Sequence, residues 1–141
     1  MQVYAPTSEP LLNEIDSFYS LLQMIIDEQD NNAFLVNMGN FNAKVGTDWM
    51  NAGRAIECFG NGILNEAGEQ LIQFTNVNDL LLINTCFKQT KANRVWPWES
   101  PDGRTHSTID NILIKKKWRG SATNCRAFPS ADVGYDHQLL F

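Results

Sequence analysis

The fold class follows from Ala33-Phe34-Leu35-Val36-Asn37-Met38, an apolar run that passes directly into Gly39-Asn40-Phe41-Asn42. A short apolar run bounded by turn residues predicts a buried strand, here over residues 33–38. Polar groups beyond the carboxyl end of a sheet strand are where α/β proteins usually build ligand sites. Two more polar groups stand at the edges of apolar runs, namely Asp110 and the pair Asp136-His137. These carboxylates, amides and imidazole indicate a candidate metal-assisted phosphate-cleaving site.

Working outward, the rest of the chain alternates helical and strand patterns. Residues 3–5 predict a short strand, residues 80–83 a buried strand, and residues 43–64 a loop without periodicity. Later strands are expected at 95–98, 109–114, 125–128 and 138–141, the first of them weakened by Pro97. Two helices are predicted from apolar residues at helical spacing, Leu11, Ile15, Phe18, Leu22 and Ile25 in the first and Ala67, Leu71 and Phe74 in the second. This order predicts a layered α/β fold in a single domain over residues 1–141.

Composition limits the classes of protein. The 141-residue chain is 43% hydrophobic, which is enough for one buried core. No apolar stretch reaches membrane-spanning length, and the N-terminus lacks the pattern of a secretory signal. The three cysteines, Cys58, Cys86 and Cys125, have no zinc-ligand spacing, and their odd number argues against a disulfide framework. We therefore expect reduced thiols, an intracellular location in the nucleus or cytoplasm, and no membrane partner.

The net charge of -5 conceals an uneven distribution of charged residues. Residues 1–86 carry a balance of -9, residues 87–119 a balance of +5, and residues 120–141 a balance of -1. A protein with an acidic total can still bind phosphates through one local basic surface. The densest basic run is Lys115-Lys116-Lys117, a candidate contact for substrate phosphates. A solvated loop after a strand is an equally good interpretation of this run.

Six short motifs give the chain a recognisable pattern, since they follow one another in a fixed order along almost its whole length. They are Val3-Tyr4-Ala5-Pro6-Thr7, Gly39-Asn40-Phe41-Asn42-Ala43-Lys44-Val45-Gly46, Asn65-Glu66-Ala67-Gly68, Trp98-Glu99-Ser100-Pro101-Asp102-Gly103-Arg104-Thr105, Ile109-Asp110-Asn111-Ile112-Leu113 and Ala131-Asp132-Val133-Gly134-Tyr135-Asp136-His137. In these motifs the chain resembles the endonuclease/exonuclease/phosphatase superfamily, and in particular the endonuclease domains of LINE-type retrotransposons and their host-encoded relatives. The resemblance implies the C-terminal half of a four-layer α/β/β/α sandwich. It leaves the family's first half, with a metal-binding glutamate, without a counterpart in this chain.

The resemblance also implies roles for individual residues. His137 would contact the scissile phosphate, Asp110 would fix the tautomer of its ring, and Asp136 would lie on the side of a bound Mg²⁺. Asn42 would donate its amide to a phosphate oxygen, and Tyr4 would hydrogen-bond the phosphate. The implied reaction is hydrolysis of a DNA phosphodiester.

Two positions depart from the family pattern. Asn40 stands where the family has an aspartate that orients or deprotonates the attacking water, and an amide cannot accept that proton. Tyr135 stands where the family has a serine. Asn40 therefore indicates impaired catalysis, whereas Asn42, Asp110, Asp136 and His137 indicate descent from an active enzyme.

Each candidate has a structural alternative. Asn40 and Asn42 are also typical turn residues, Tyr4 is also typical of a core edge, and Arg104 follows a turn and is a candidate DNA contact. For the whole chain, the sequence leaves two functions open. One is a Mg²⁺-dependent DNA endonuclease domain, truncated and impaired. The other is a non-catalytic remnant that binds a protein or a nucleic acid, with a longer chain or a partner supplying the missing half.

Overall fold

A four-stranded mixed sheet forms the centre of the structure, a computed structural model that describes residues 1–6, 12–91, 95–100, 104, 106–128, 137, 139 and 140. Its strands lie in the order β1 (Gln2–Tyr4), β2 (Val36–Asn40), β6 (Asp110–Lys115) and β3 (Leu80–Leu82). Strand β1 runs parallel to β2, and β6 is antiparallel to both β2 and β3. The other elements are the helices α1 (Leu12–Asp27) and α2 (Glu66–Val77), the paired strands β4 (Trp98–Glu99) and β5 (His106–Ser107), and the paired strands β7 (Ala127–Phe128) and β8 (Leu139–Leu140). The predicted α/β class is confirmed.

The two helices pack on one face of the sheet and form the larger core. Alternation along β6 sends Leu113 to this face, where it is fully buried. The residues of α1 and α2 that are buried against the sheet are Leu22, Ile26 and Leu71, with Leu80 and Leu82 as sheet partners. The predicted helices are thus confirmed, although Ile26 rather than Ile25 completes the buried stripe of α1.

The opposite face of the sheet carries a second, smaller core. Leu81 and Ile114 point to this side and are buried with Ile83, Cys86 and Cys125. Leu140 of β8 and Trp118 of the 3₁₀ helix Lys116–Ser121 pack against them. This second core holds β7 and β8 against the sheet.

Two predicted strand boundaries are wrong. Strand β2 begins at Val36 and continues through Gly39 and Asn40, because these two residues pair with Asn111 and Asp110 of β6. The strand expected over 95–98 is confined to Trp98–Glu99, since Pro97 has no N–H with which to extend the ladder. Residues 43–64, all of them described, contain neither helix nor strand, as predicted.

Glycine is required at position 39 because the neighbouring strand β1 lies too close for a side chain. Gly39 has φ +149°, and a Cβ there would lie 1.9 Å from the carbonyl oxygen of Val3. The parallel pairing of β1 with β2 places Val3 opposite this position. The absent side chain therefore lets the two backbones approach and brings Tyr4 beside Asn40.

Among the described residues, no helix is both long enough and apolar enough to cross a membrane.

Replacing Gly39 by Ala tests how closely β1 and β2 approach. Gly62 offers a matched control because it also has a positive φ, +74°, but has nothing within 4 Å of an added Cβ. Both changes impose backbone strain of about 1–3 kcal/mol. Gly39→Ala also causes overpacking against β1. In urea titrations its free energy of unfolding should therefore be lower than that of Gly62→Ala by about 1–3 kcal/mol. Equal losses for the two variants would contradict the close approach.

Candidate functional site

Three of the predicted site residues form a row across one edge of the sheet. Tyr4 pairs with Asn40 across β1 and β2, and Asn40 pairs with Asp110 across β2 and β6. Side chains that are opposite each other in neighbouring strands project from the same face, with Cβ atoms about 4.5–5.5 Å apart in antiparallel pairs. Residues that are 106 positions apart from first to last, Tyr4 to Asp110, are therefore neighbours because of strand register.

Asp110 and His137 form the central contact of the site. The Nδ1 atom of His137 lies 2.7 Å from Oδ2 of Asp110, although the two residues are 27 positions apart. An isolated antiparallel bridge pairs the backbone of His137 with that of Trp98 in β4. The side chain of Asp110 is 16% exposed and that of His137 is 33% exposed, so the pair is shielded yet open to a ligand. The predicted contact between these residues is present in the structure.

This contact determines which ring nitrogen of His137 carries a proton. A carboxylate accepts hydrogen bonds, so Nδ1 must carry the proton that it donates to Asp110. In a neutral ring the other nitrogen, Nε2, is then an acceptor, and in a charged ring it is a second donor. His137 can therefore present either an acceptor or a donor to a phosphate oxygen from a fixed position.

Asn84 supports Asp110 and was missed by the sequence analysis. Its Nδ2 donates to the carbonyl oxygen of Asp110 at 2.8 Å, and its Oδ1 accepts from the backbone N–H of Ile112 at 2.8 Å. Asn84 lies just beyond β3, inside the 3₁₀ helix Ile83–Thr85. It therefore obeys the same rule, a polar residue after a strand, that singled out Asn40, and that rule applied to residue 84 would have found it.

Asn40, the last residue of β2, and Asn42, two residues further on, make hydrogen bonds to the protein's own backbone. Oδ1 of Asn40 accepts from the N–H of Asn42 at 2.7 Å, which is an Asx turn, and Asn40 is only 7% exposed. Nδ2 of Asn42 donates to the carbonyl oxygens of Ala5 and Pro6 at 3.0 and 3.1 Å. Asn42 has φ +52°, a left-handed conformation that asparagine tolerates. Both amides thus help to hold β1 against β2.

Asn65 continues this network to the second helix. It caps α2 by accepting from the N–H of Gly68 at 2.8 Å, and the same oxygen accepts from the N–H of Lys44 at 2.9 Å. Its Nδ2 donates to the carbonyl oxygen of Asn42 at 3.1 Å. The segment after β2 is therefore tied to the start of α2 by one side chain.

The predicted lysine contacts are not brought to this site. Lys115 ends β6 five residues from Asp110, which at about 3.3 Å per residue puts it at the far end of the sheet. Lys116 lies 3.4 Å from Oδ1 of Asp79, and Lys115 and Lys117 donate to the carbonyl oxygen of Asn31. The lysine run is thus occupied by contacts within the chain.

Of the remaining predicted residues, Tyr4 and Arg104 are described by the structure and Asp136 is not. Tyr4 is 66% exposed at the outer strand of the row, which leaves its ring open to solvent. Arg104 is exposed between β4 and β5 and takes part in an interaction of its own. Asp136, the expected metal ligand, lies outside the described residues.

The described residues contain no cluster of three potential metal-ligating side chains. A hard cation such as Mg²⁺ takes several oxygen ligands, usually including carboxylates. Within the described part of the chain, no three His, Cys, Asp or Glu side chains come together. Asn40 supplies an amide oxygen beside Asp110, but that oxygen already accepts the Asx-turn hydrogen bond.

Comparison with known sequences identifies the family of this chain. The family model described as endonuclease-reverse transcriptase matches residues 1–141. Craniofacial development protein 2 of Bos taurus is 40% identical over 142 residues, and that of Tragulus javanicus is 39% identical over 142. These alignments cover 99% of this chain but only 23% and 24% of the two relatives. The chain therefore spans about a quarter of the length of the curated relatives that it matches.

Comparison with solved structures agrees on the fold. A 3′ phosphatase from Neisseria named NExo, bound to a product DNA hairpin, superposes with a TM-score of 0.69 at 17% identity, over 99% of this chain and 58% of that one. The endonuclease domain of TRAS1, a telomere-specific non-LTR retrotransposon, gives a TM-score of 0.64 at 15% identity, over 89% of this chain and 49% of that one. Identities this low show a shared fold alone. That fold is the one of endonuclease/exonuclease/phosphatase domains.

The Asp110 contact predicts the tautomer of His137. In its neutral form, His137 should carry its proton on Nδ1, as a long-range ¹H–¹⁵N correlation spectrum of the histidines would show. Asp110→Ala removes the acceptor and should shift the population towards Nε2–H. The internal control is His106, whose Nδ1 lies 3.8 Å from Glu99 in an exposed pair and whose signals should not change. An unchanged His137 spectrum in Asp110→Ala would contradict the assigned contact.

Proposed function

We propose, because the chain belongs to the endonuclease-reverse transcriptase family, that its site descends from one that hydrolyses a DNA phosphodiester. The observation that carries the proposal is the 2.7 Å contact between Asp110 and His137 at the sheet edge. An imidazole that is fixed by a carboxylate and open on one side can bind a phosphate oxygen in a defined orientation. DNA is the proposed substrate, supported by the product DNA hairpin held by the structurally similar NExo protein.

In this proposal the residues of the site have separate tasks. His137 contacts the scissile phosphate through Nε2, and Asp110 acts as a positioning residue by holding the ring. Tyr4 lies at the open end of the row, where its hydroxyl can hydrogen-bond a phosphate oxygen, and Asn42 shapes the segment beneath it. Arg104 is a proposed DNA contact, while the proposal does not depend on the lysine run.

The proposed cofactor is Mg²⁺, as the resemblance implies. A bound divalent cation would stabilise the negative charge that develops on the phosphate. Asp136 is the proposed ligand in this chain. The proposal that residues 1–141 are the C-terminal half of a four-layer α/β/β/α domain is supported by the NExo superposition, which covers 99% of this chain and 58% of that one.

We further propose that catalysis by this chain is impaired. Asn40 occupies the position beside Asp110 where the family resemblance implies an aspartate. An amide keeps the Asx turn but has no useful basicity, so it cannot remove a proton from an attacking water. The LINE-type origin proposed for the chain is supported by its motif spellings and by its structural similarity to the TRAS1 endonuclease domain.

One observation favours the rival function, a non-catalytic binding module. The oxygen of Asn40 and the amide nitrogen of Asn42 are both engaged by the chain's own backbone. Side chains engaged in this way stabilise a fold without any contribution to catalysis. The rival keeps the same surface for a nucleic acid or a protein and drops only the bond cleavage.

The intracellular location inferred from the sequence is retained as a proposal. Its support is that Cys58, Cys86 and Cys125 are all free thiols, as expected for a reducing compartment.

A plasmid-nicking assay tests the proposed activity. The chain alone, supplied with Mg²⁺, should nick DNA very slowly, because loss of a positioned general base costs about 10²–10⁴ in rate. Asn40→Asp alone should restore little, whereas Asn40→Asp fused to the N-terminal half of a related nuclease domain should nick readily. Residues that act as a unit are not additive, so these two losses need not multiply.

The control for this assay is His137→Ala in the completed protein, which should abolish the restored nicking. Robust Mg²⁺-dependent nicking by the unmodified chain, lost on His137→Ala, would show that catalysis is not impaired. Absence of nicking from every completed form would favour the binding module instead.

A further inference from the structure

A separate cleft lies beside the Asp110–His137 pair. Its volume is about 270 Å³, and its lining includes Asn84 and Leu140. Asn84 also donates to the carbonyl oxygen of Asp110 at 2.8 Å. Leu140 belongs to β8, three residues after His137. The cleft and the candidate catalytic pair therefore share two supporting elements.

The cleft carries positive charge. Its described lining contains two cationic side chains, Lys88 and Arg126, and no carboxylate. Nε of Arg126 is buried and has no hydrogen-bond partner among the described residues. The nearest acid in sequence to the lining is Glu57, and Nε of Arg119 neutralises it at 3.0 Å. The cleft thus has an unused buried donor and two cations that no described acid compensates.

We propose that this cleft binds a phosphate group of the DNA backbone that flanks the phosphate held at His137, a subsite that rests on the DNA-cleaving ancestry proposed above. Arginine presents a planar fork of donors that matches the oxygens of a phosphate, and lysine adds a point charge. Small-molecule sites usually begin at about 300 Å³. A cleft slightly below that size suits one phosphate group better than a whole nucleotide.

The charge distribution of the whole chain strengthens this assignment. The protein has a net charge of -5, so a nucleic acid is repelled by most of its surface. Binding must then depend on local positive sites. The lysine run is occupied by contacts within the chain at the far end of the sheet, whereas Lys88 and Arg126 line the cleft that also contains Asn84, a hydrogen-bond partner of Asp110.

Salt-dependent binding tests the subsite without any need for cleavage. The binding of a short fluorescein-labelled DNA duplex to the intact chain is followed by anisotropy in EDTA at several salt concentrations. Each phosphate contact on duplex DNA contributes about 0.9 to the slope of log K against log salt. Because the cleft holds one phosphate, Arg126→Gln should lower the slope by up to about 0.9, and the double variant with Lys88→Gln by about 0.9 in total.

Two further variants control for loss of charge and loss of folding. Arg54→Gln removes one positive charge at an exposed position beside α2, away from the cleft, and should leave the slope unchanged. Arg126→Lys keeps the charge, so it should keep the slope while weakening binding through the loss of the guanidinium fork. Equal slopes for Arg126→Gln and Arg54→Gln would overturn the proposal.

Cys58 provides a native reporter at the same cleft. It lines the cleft and is exposed, whereas Cys86 and Cys125 are buried, and burial raises the pKa of each of these two thiols to about 12. A disulfide reagent should therefore modify Cys58 well before the other two. Bound duplex should slow this modification in the parent chain but not in Arg126→Gln. An unchanged rate in the parent chain at saturating duplex would overturn the proposal.

Inorganic phosphate separates a nucleic-acid subsite from a site for the free ion. At equal total phosphate concentration, the duplex should protect Cys58 and inorganic phosphate should not. Equal protection by the free ion would overturn the assignment to DNA. Binding with the predicted slopes, but without nicking by any completed form, would contradict the proposed cleavage and support the subsite. Nicking that is insensitive to Arg126→Gln would support the cleavage and contradict the subsite.

Discussion

Strand β6 forms hydrogen bonds with β2 on one side and with β3 on the other, and every assignment at the site depends on the register of that pairing. The register places Asp110 opposite Asn40 at one end of the strand and Lys115 opposite Leu80 at the other. A slip of one residue would turn each side chain of β6 to the opposite face. Leu113 would then leave the core that the two helices cover, and Asp110 would leave His137.

The same register explains why burial and function do not conflict in this sheet. Alternation gives one face of β6 to the helices and the other to Cys125 and β8. At the end of the strand the second face passes from apolar side chains to Asp110, where β8 and its neighbours bring His137 within hydrogen-bond distance. The catalytic candidates therefore sit on a rigid sheet edge, with Asn84 locking the backbone on which Asp110 stands.

Local patterns predicted most of the fold because each element repeats a signal over several residues. The helical spacing in α1 and α2 and the apolar run of β3 are of this kind. The end of β2 was not predicted, because Gly39 and Asn40 are turn formers whose strand conformation depends on distant partners in β6. The position of the lysine run also depends on strand register. A row of lysines in the sequence is a candidate phosphate contact, but the sequence does not give its distance from the other site residues.

The order of the motifs along the chain, rather than the spacing of single residues, identified the site residues that the sequence predicted. Asp110 and His137 were found because the resemblance pairs them. Asn84 and Arg126 belong to no quoted motif; Asn84 follows a predicted strand and could have been found by that rule, whereas the role of Arg126 follows only from its position in the folded chain. Asn40 shows the limit most clearly. Its chemistry argues against a general base, and its hydrogen bond to Asn42 explains why the fold tolerates an amide there.

The central claim is that the chain retains the frame of a phosphate-cleaving site in which one acid has been replaced by Asn40. Calorimetric titration with Mg²⁺ of the parent chain and of Asn40→Asp tests it directly. An aspartate keeps the acceptor of the Asx turn and adds a carboxylate to the site for which Asp136 is the proposed Mg²⁺ ligand, and the number of charged ligands is a main determinant of affinity for hard cations. The account predicts that Asn40→Asp binds Mg²⁺ about tenfold more tightly or better than the parent, and that Asp136→Asn removes this gain. Equal affinities in the parent and in Asn40→Asp would contradict it.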